Sequence, residues 1–225
     1  MNIIYLLSFA LVLLSCNSRP TNSVHHSTVP KKQEVEIKLR KLEKHFVVGD
    51  FDGDRKNDTL FQHNYSRLTK AELDSAADPF QQEWDTVINW FYDQNTDLYL
   101  AMNNKNCGTL HLGTAQGLYC LINVGDNNAD GKDEIAFVID HLDFSRVNSC
   151  KIYSLCNSKW KQLMTFAIHE DAFNFTGDRP QVFTEITGYL EQHKKRWVYH
   201  DYHEETVNPE DLGKMIRLTI DKCNQ

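Results

Sequence analysis

The chain has 225 residues and six cysteines, is 41% hydrophobic and carries a formal net charge of -7. That length is enough for one sizeable core or two small ones. The acidic balance excludes nucleic acid and an anionic lipid surface as electrostatically favoured partners.

Residues 1–16 open with the apolar run Ile3-Ile4-Tyr5-Leu6-Leu7 through Leu11-Val12-Leu13-Leu14, which stops at Cys16. The run is shorter than the about 20 apolar residues that span a bilayer and has the form of a signal peptide. Leu13-Leu14-Ser15-Cys16 resembles the lipobox of bacterial lipoproteins. The resemblance implies that Cys16 is acylated and becomes the mature N-terminus, a membrane anchor placing the protein in the cell envelope, facing the periplasm or the exterior. Several acyl chains at about 0.8 kcal/mol per buried CH₂ make such an anchor effectively permanent. Residues 17–34 hold Ser, Thr, Asn, two Pro, His25-His26 and Lys31-Lys32 with almost nothing apolar. They read as a flexible tether, with a root-mean-square reach of about 25 Å. A single β-rich domain is expected over residues 35–225.

Val35, Ile37 and Leu39 alternate with charged residues and fit either a strand edge or a short helix. A short strand over residues 45–48 runs into an acidic loop and another over residues 59–63 leaves it. Residues 68–73 read as a short helix with Thr69 as N-cap. Beyond Pro79, Phe80, Trp84, Val87, Ile88 and Phe91 recur at helical spacing opposite Gln81, Gln82, Asp85, Asn89 and Asp93. This predicts a packed amphipathic helix over residues 80–92. Core packing outweighs an aromatic ligand platform for Trp84, Trp90, Phe91 and Tyr92. Short β-type runs follow over residues 98–102, 109–112, 118–124, 135–139, 151–155 and 160–168, with a hairpin turn at Cys156-Asn157-Ser158-Lys159. A further hairpin runs out over residues 182–190, turns over 191–195 and returns through 197–202, and residues 215–220 close the sheet. The fold class is therefore mainly β (α+β), with antiparallel sheet and hairpins carrying one packed helix.

Two stretches of this chain repeat. Residues 49–61 and 125–137 superpose at a constant offset of 76, matching Gly49 with Gly125, Asp50 with Asp126, Asp52 with Asn128, Asp54 with Asp130, Lys56 with Lys132, Asp58 with Glu134 and Phe61 with Phe137. Oxygen donors thus recur at positions 1, 3, 5 and 9 of each loop. Donors so spaced converge on one hard cation, and Ca²⁺ takes six to eight oxygen ligands. Position 12 is Phe in both loops, which excludes the bidentate carboxylate of an EF-hand, and dockerin-type loops fail on the same ground. The residues resemble the short calcium loops of FG-GAP, integrin-alpha-like or VCBS-like repeats, each followed by a buried strand. The resemblance implies one site from Asp50, Asp52, Asp54, Asp58 and the Lys56 carbonyl. It implies a second from Asp126, Asn128, Asp130, Glu134 and the Lys132 carbonyl. Arg55 stands where the pattern usually has Gly, and a full propeller of such units needs more blades than about 200 residues hold, so borrowed loops on a smaller scaffold are expected. The plain alternative is two Asp-rich turns capping hairpins without metal; it must explain how the repulsion among the four carboxylates from Asp50 to Asp58 is offset, which Arg55 and Lys56 do in part.

Apart from Cys16, the cysteines are Cys107, Cys120, Cys150, Cys156 and Cys223, so at least one stays free or pairs between chains if the others form disulfides. Cys150 and Cys156 flank a strand and should not bond each other, and Cys107 with Cys120, which bracket a possible hairpin at Gly113 to Gly117, is the favoured local pair. The run from His200 to Glu205 fits no zinc-hydrolase pattern. There is no Gly-x-Ser-x-Gly elbow and no phosphate-binding glycine loop, and Asp140, Asp143, Glu204 and Glu205 read as exposed acids. Two function classes remain. One is a non-enzymatic calcium-binding envelope lipoprotein that serves a protein or glycan ligand. The other is a calcium-dependent envelope hydrolase whose active site no motif marks.

Overall fold

In the computed structural model, which describes residues 36–103, 107–173, 183–202 and 214–223, every strand pairing is antiparallel. The first sheet takes β2 (Phe46–Gly49), β3 (Asp58–Ser66), β6 (Thr96–Met102) and β7 (Leu110–Gly113) in that order. The second takes β8 (Gly117–Gly125), β9 (Glu134–Asp140), β10 (Val147–Cys156) and β11 (Lys159–His169). A third, smaller sheet takes β12 (Leu190–His193), β13 (Arg196–Tyr199) and β14 (Ile216–Arg217). The insertion between β3 and β6 supplies β4 (Ala71–Glu72), which pairs with β3, then β5 (Ser75–Ala77), which pairs with β1 (Leu39–Lys41), and α1 (Trp84–Asp93).

Strand alternation distributes the apolar side chains between two cores. Ile135, Phe137 and Ile139 of β9 join Leu118 and Leu121 of β8 and meet Leu60, Leu98, Leu100 and Leu110 of the first sheet. Ala136 and Val138 turn the other way, with Cys120, Ile122, Cys150 and Ile152, onto Leu190, Trp197, Leu218 and Ile220 of the third sheet and its flank. Strand β9 is therefore buried on both faces, while β11 at the edge of the sheet is mostly exposed or half-buried. Helix α1 lays Val87 and Phe91 against Ala76, Ala77 and Leu42.

At the end of the sheets away from the acidic loops lies a buried polar seam. Gln62 Nε2 donates to Asn64 Oδ1 at 2.8 Å, Asn64 Nδ2 to the Gln116 carbonyl at 3.3 Å, and Gln116 Nε2 to Asp140 Oδ1 at 3.0 Å. Asp140 is thus not an exposed acid. Burial pushes its carboxyl up to about 6, against hydrogen bonds from Tyr119 and Gln116 and the charge of Arg40.

Four further sequence expectations are corrected. Residues 68–73 form no helix: Tyr65 pairs with Glu72 and Ser66 with Ala71, so residues 67–70 turn a hairpin. Ser66 Oγ accepts from the Thr69 N–H at 3.1 Å and Lys70 takes a left-handed φ of 56°, which closes the turn. The helix predicted from residue 80 starts at Trp84, because the Asp78 carboxylate accepts from the Phe80 N–H at 2.9 Å and holds that segment in a turn. Phe80 is left 84% exposed, with the Arg40 guanidinium 5.9 Å from its ring centroid. The hairpin placed at residues 182–202 has its outgoing strand at Leu190–His193 and a two-residue turn at Lys194 and Lys195, both with positive φ. Cys156 bonds Cys223, while Cys107, Cys120 and Cys150 are free. Cys107 packs toward the core between the first and second sheets and Cys120 toward the core on the opposite face of the second sheet, so these two cannot meet. The signal peptide, Cys16, the tether with His25-His26, Val182, and His203 to Glu205 lie outside the described residues.

Truncating Phe137 to Ala is expected to cost about 3–5 kcal/mol in urea unfolding, whereas Phe80→Ala should cost under about 1 kcal/mol. The fold favours protonated Asp140, so its contribution is present below the ordinary carboxylate range and is lost as pH rises toward about 6. Asp140→Asn should therefore gain stability relative to the parent between pH 4 and 7, read as a difference in urea midpoints.

Candidate metal centre

Each acidic loop connects the first two strands of a sheet, and the two connections are closed by equivalent pairs, Gly49 with Asp58 and Gly125 with Glu134. A bulge between Asn123 and Gly125 adds one residue to β8, so Phe137 faces Leu121 where Phe61 faces Phe46.

Within the loops the same hydrogen bonds recur. The position 1 carboxylate accepts from the position 6 N–H, Arg55 to Asp50 at 2.9 Å and Gly131 to Asp126 at 3.0 Å. Position 3 accepts from the position 5 N–H, Asp54 to Asp52 at 3.0 Å and Asp130 to Asn128 at 2.9 Å. Position 5 accepts from the position 7 N–H, Lys56 to Asp54 at 2.8 Å and Lys132 to Asp130 at 3.1 Å. Both loops turn left-handed at positions 4 and 6: Gly53 and Arg55 have φ of 82° and 68°, Ala129 and Gly131 of 58° and 84°. Each loop thus keeps one glycine, at opposite members of the pair, and Arg55 adopts the conformation that Gly131 adopts in the second loop.

These turns bring carboxylates together. Oxygens of Asp50, Asp52 and Asp58 lie within 4.8 Å of one another, and so do oxygens of Asp126, Asp130 and Glu134. Asp54 is outside the first group; its Oδ2 faces Lys56 Nζ at 3.3 Å and it is exposed. Asn128 is buried beside the second group, where its Nδ2 donates to the Asp221 carbonyl at 3.4 Å and its Oδ1 accepts from Asp130 within the loop. The Lys132 ammonium turns away from the loop to the Leu155 carbonyl at 2.8 Å.

Position 9 is the electrostatic problem in both loops. Glu134 is 0% exposed; its Oε2 accepts from the Asn127 N–H at 2.8 Å, and its Oε1 has no hydrogen-bond partner. Burial, then the charges of Asp130, Asp126 and Asp133, push its carboxyl up to about 8. Asp58 repeats the pattern more mildly: Oδ2 is buried without a partner, and burial with Asp52, Asp54 and Asp50 raises its carboxyl. A bound cation would relieve both, as it would supply the missing partner and neutralise the repulsion. The donor set is all oxygen, which suits Ca²⁺ or Mg²⁺ rather than a softer metal.

Three elements around the second loop were not legible as its neighbours. Asp133 occupies the position of Asn57 in the repeat and carries no twin carboxylate. Asn123, in β8, donates to Asp133 Oδ2 at 2.8 Å. The segment before Cys223 lies over the loop, with Lys222 Nζ donating to the Ala129 carbonyl at 3.0 Å.

Gly131→Ala should cost about 1 kcal/mol in urea unfolding through backbone conformation alone, since a Cβ there would meet nothing within 4 Å. Comparison with protein-family models, with curated proteins and with solved structures finds no match to this chain.

Proposed function

We propose that this is a calcium-binding, lipid-anchored bacterial envelope protein that acts as a non-enzymatic binding or structural module. The observation that carries the calcium reading is the recurrence, at position 9 of both loops, of a carboxylate with one buried oxygen unpaired amid other carboxylates. Neither loop has a cationic side chain placed on that oxygen, and a divalent ion is the simplest species that satisfies it. The Cys156–Cys223 disulfide supports export, because such bonds persist in oxidising compartments. The lipid anchor rests on Leu13 to Cys16.

The binding role has a surface to use. On the outer face of the first sheet, Phe46 and Phe61 are 63% and 40% exposed with ring centroids 6.2 Å apart. Beside them His63, Tyr99 and His111 line up across β3, β6 and β7, at centroid separations of 4.7 and 5.6 Å. Glu72 accepts from Tyr99 at 3.0 Å and faces His63 at 3.1 Å, and Asp97 faces His111 at 2.9 Å. An exposed aromatic patch edged by fixed polar groups suits a protein or glycan ligand.

Millimolar Ca²⁺ should raise the melting temperature and a chelator should reverse the rise, since a ligand at 100 times its Kd adds about 2.7 kcal/mol. A melting curve unchanged in both conditions would remove the calcium claim. By isothermal titration, Asp52→Ala and Asp130→Ala should each lose one of two sites.

A further inference from the structure

The two loops touch, and the contact runs through one residue. Asp133 lies between Lys132 and Glu134, two of the proposed ligands of the second loop. Its N–H donates to the Asp50 carbonyl at 2.8 Å, and its Oδ2 accepts from the Asp50 N–H at 3.1 Å. Asp50 is position 1 of the first loop, so a residue of the second loop holds both of its backbone polar groups. Asn123 braces the bridge, donating at once to Asp133 Oδ2 at 2.8 Å and to the Val48 carbonyl at 3.0 Å. The approach leaves no room for a side chain at Gly49, where a Cβ would collide with Asn123 Nδ2 and lie 2.6 Å from Asp133 Oδ2. Nearer the loop tips, a Cβ on Gly53 would lie 3.1 Å from Lys132 Cγ.

We propose that the two loops are coupled cation sites, in which an ion held by the second loop fixes Asp133, and through it Asp50, and so raises the affinity of the first. The inference rests on the calcium reading and adds the link between the sites. The second loop is the better prepared, because Glu134 is buried with one oxygen unpaired and Asn128 is held by the C-terminal segment. The first loop is more exposed and has more to lose in ordering. When the second loop is filled, its Lys132 and Glu134 ends are fixed, and Asp133 between them presents a rigid donor and acceptor to Asp50. Part of the ordering cost of the first site is then already met, which is positive coupling without a shared ligand, and the coupling acts equally in both directions. Repulsion between the two ions does not dominate: eight carboxylates from Asp50 to Asp58 and Asp126 to Glu134 outweigh two divalent ions and the charges of Arg55, Lys56 and Lys132.

The test is calcium titration calorimetry on the full chain in a four-way comparison: parent, Asp130→Ala, Asp133→Ala and the double variant. Disabling the second loop with Asp130→Ala should weaken the first site about tenfold when Asp133 is present, within the usual range of coupling between sites. In the Asp133→Ala background it should change the first site by less than about twofold. Asp133→Asn, which keeps an oxygen acceptor and drops the charge, should retain the tenfold effect, separating the bridge from simple electrostatics. If Asp133→Ala does not fold, as judged by its melting in chelator, Asn123→Ala takes its place and should reduce the coupling. A first site of unchanged affinity in Asp130→Ala, with the second site lost and Asp133 intact, would overturn the coupling and leave the calcium reading standing. No calcium uptake by the parent protein would remove both.

Discussion

Strand β9 has no face for solvent, and much of the molecule follows from that constraint. Its odd-numbered residues Ile135, Phe137 and Ile139 demand a cover on one side and its even-numbered Ala136 and Val138 demand one on the other. A strand with both faces apolar cannot lie in a sheet that stands alone, because each face must be removed from water. The first and third sheets are those covers. The same burial reaches the first residue of the strand: Glu134 is drawn in with its neighbours, and its carboxylate becomes the most strongly raised of the loop acids. Core and candidate site thus have one cause.

The two halves are related more deeply than their loops. Each is a four-stranded antiparallel meander whose first hairpin carries the acidic loop. In the first, the return from β3 to β6 is interrupted by β4, β5 and α1; in the second, β9 passes to β10 through a short connection. The recurrent loop hydrogen bonds and the exchange of glycine between positions 4 and 6 show that the conformation, more than the residue at any one place, is what the two copies share.

Much of this was legible in the chain. Alternation marked the strands, helical spacing marked the core of α1, and the offset of 76 marked both loops. What escaped notice depended on information that local pattern does not carry. Residues 68–73 have a helix-like composition, but a capping Ser66 and a left-handed Lys70 decide the turn. Phe80 fits the helical stripe, yet Asp78 ends the helix short of it. The four-strand repeat is hidden because the insertion after β3 separates equivalent strands by unequal lengths. Cys223 and Cys156 are 67 residues apart, and Asp133 meets Asp50 across a separation of 83. Such partners are chosen by how sheets stack, which no short window records.

The disulfide has a mechanical consequence. It closes residues 156–223 into a covalent ring that contains β11 and the whole third sheet. Tension applied between residue 37 and Cys223 would pass through the first sheet and as far as Cys156, cross the sulfur bridge and leave, so the ring would carry none of it. A pull on the chain would load the first sheet and β8 to β10, and leave β11 and the third layer slack.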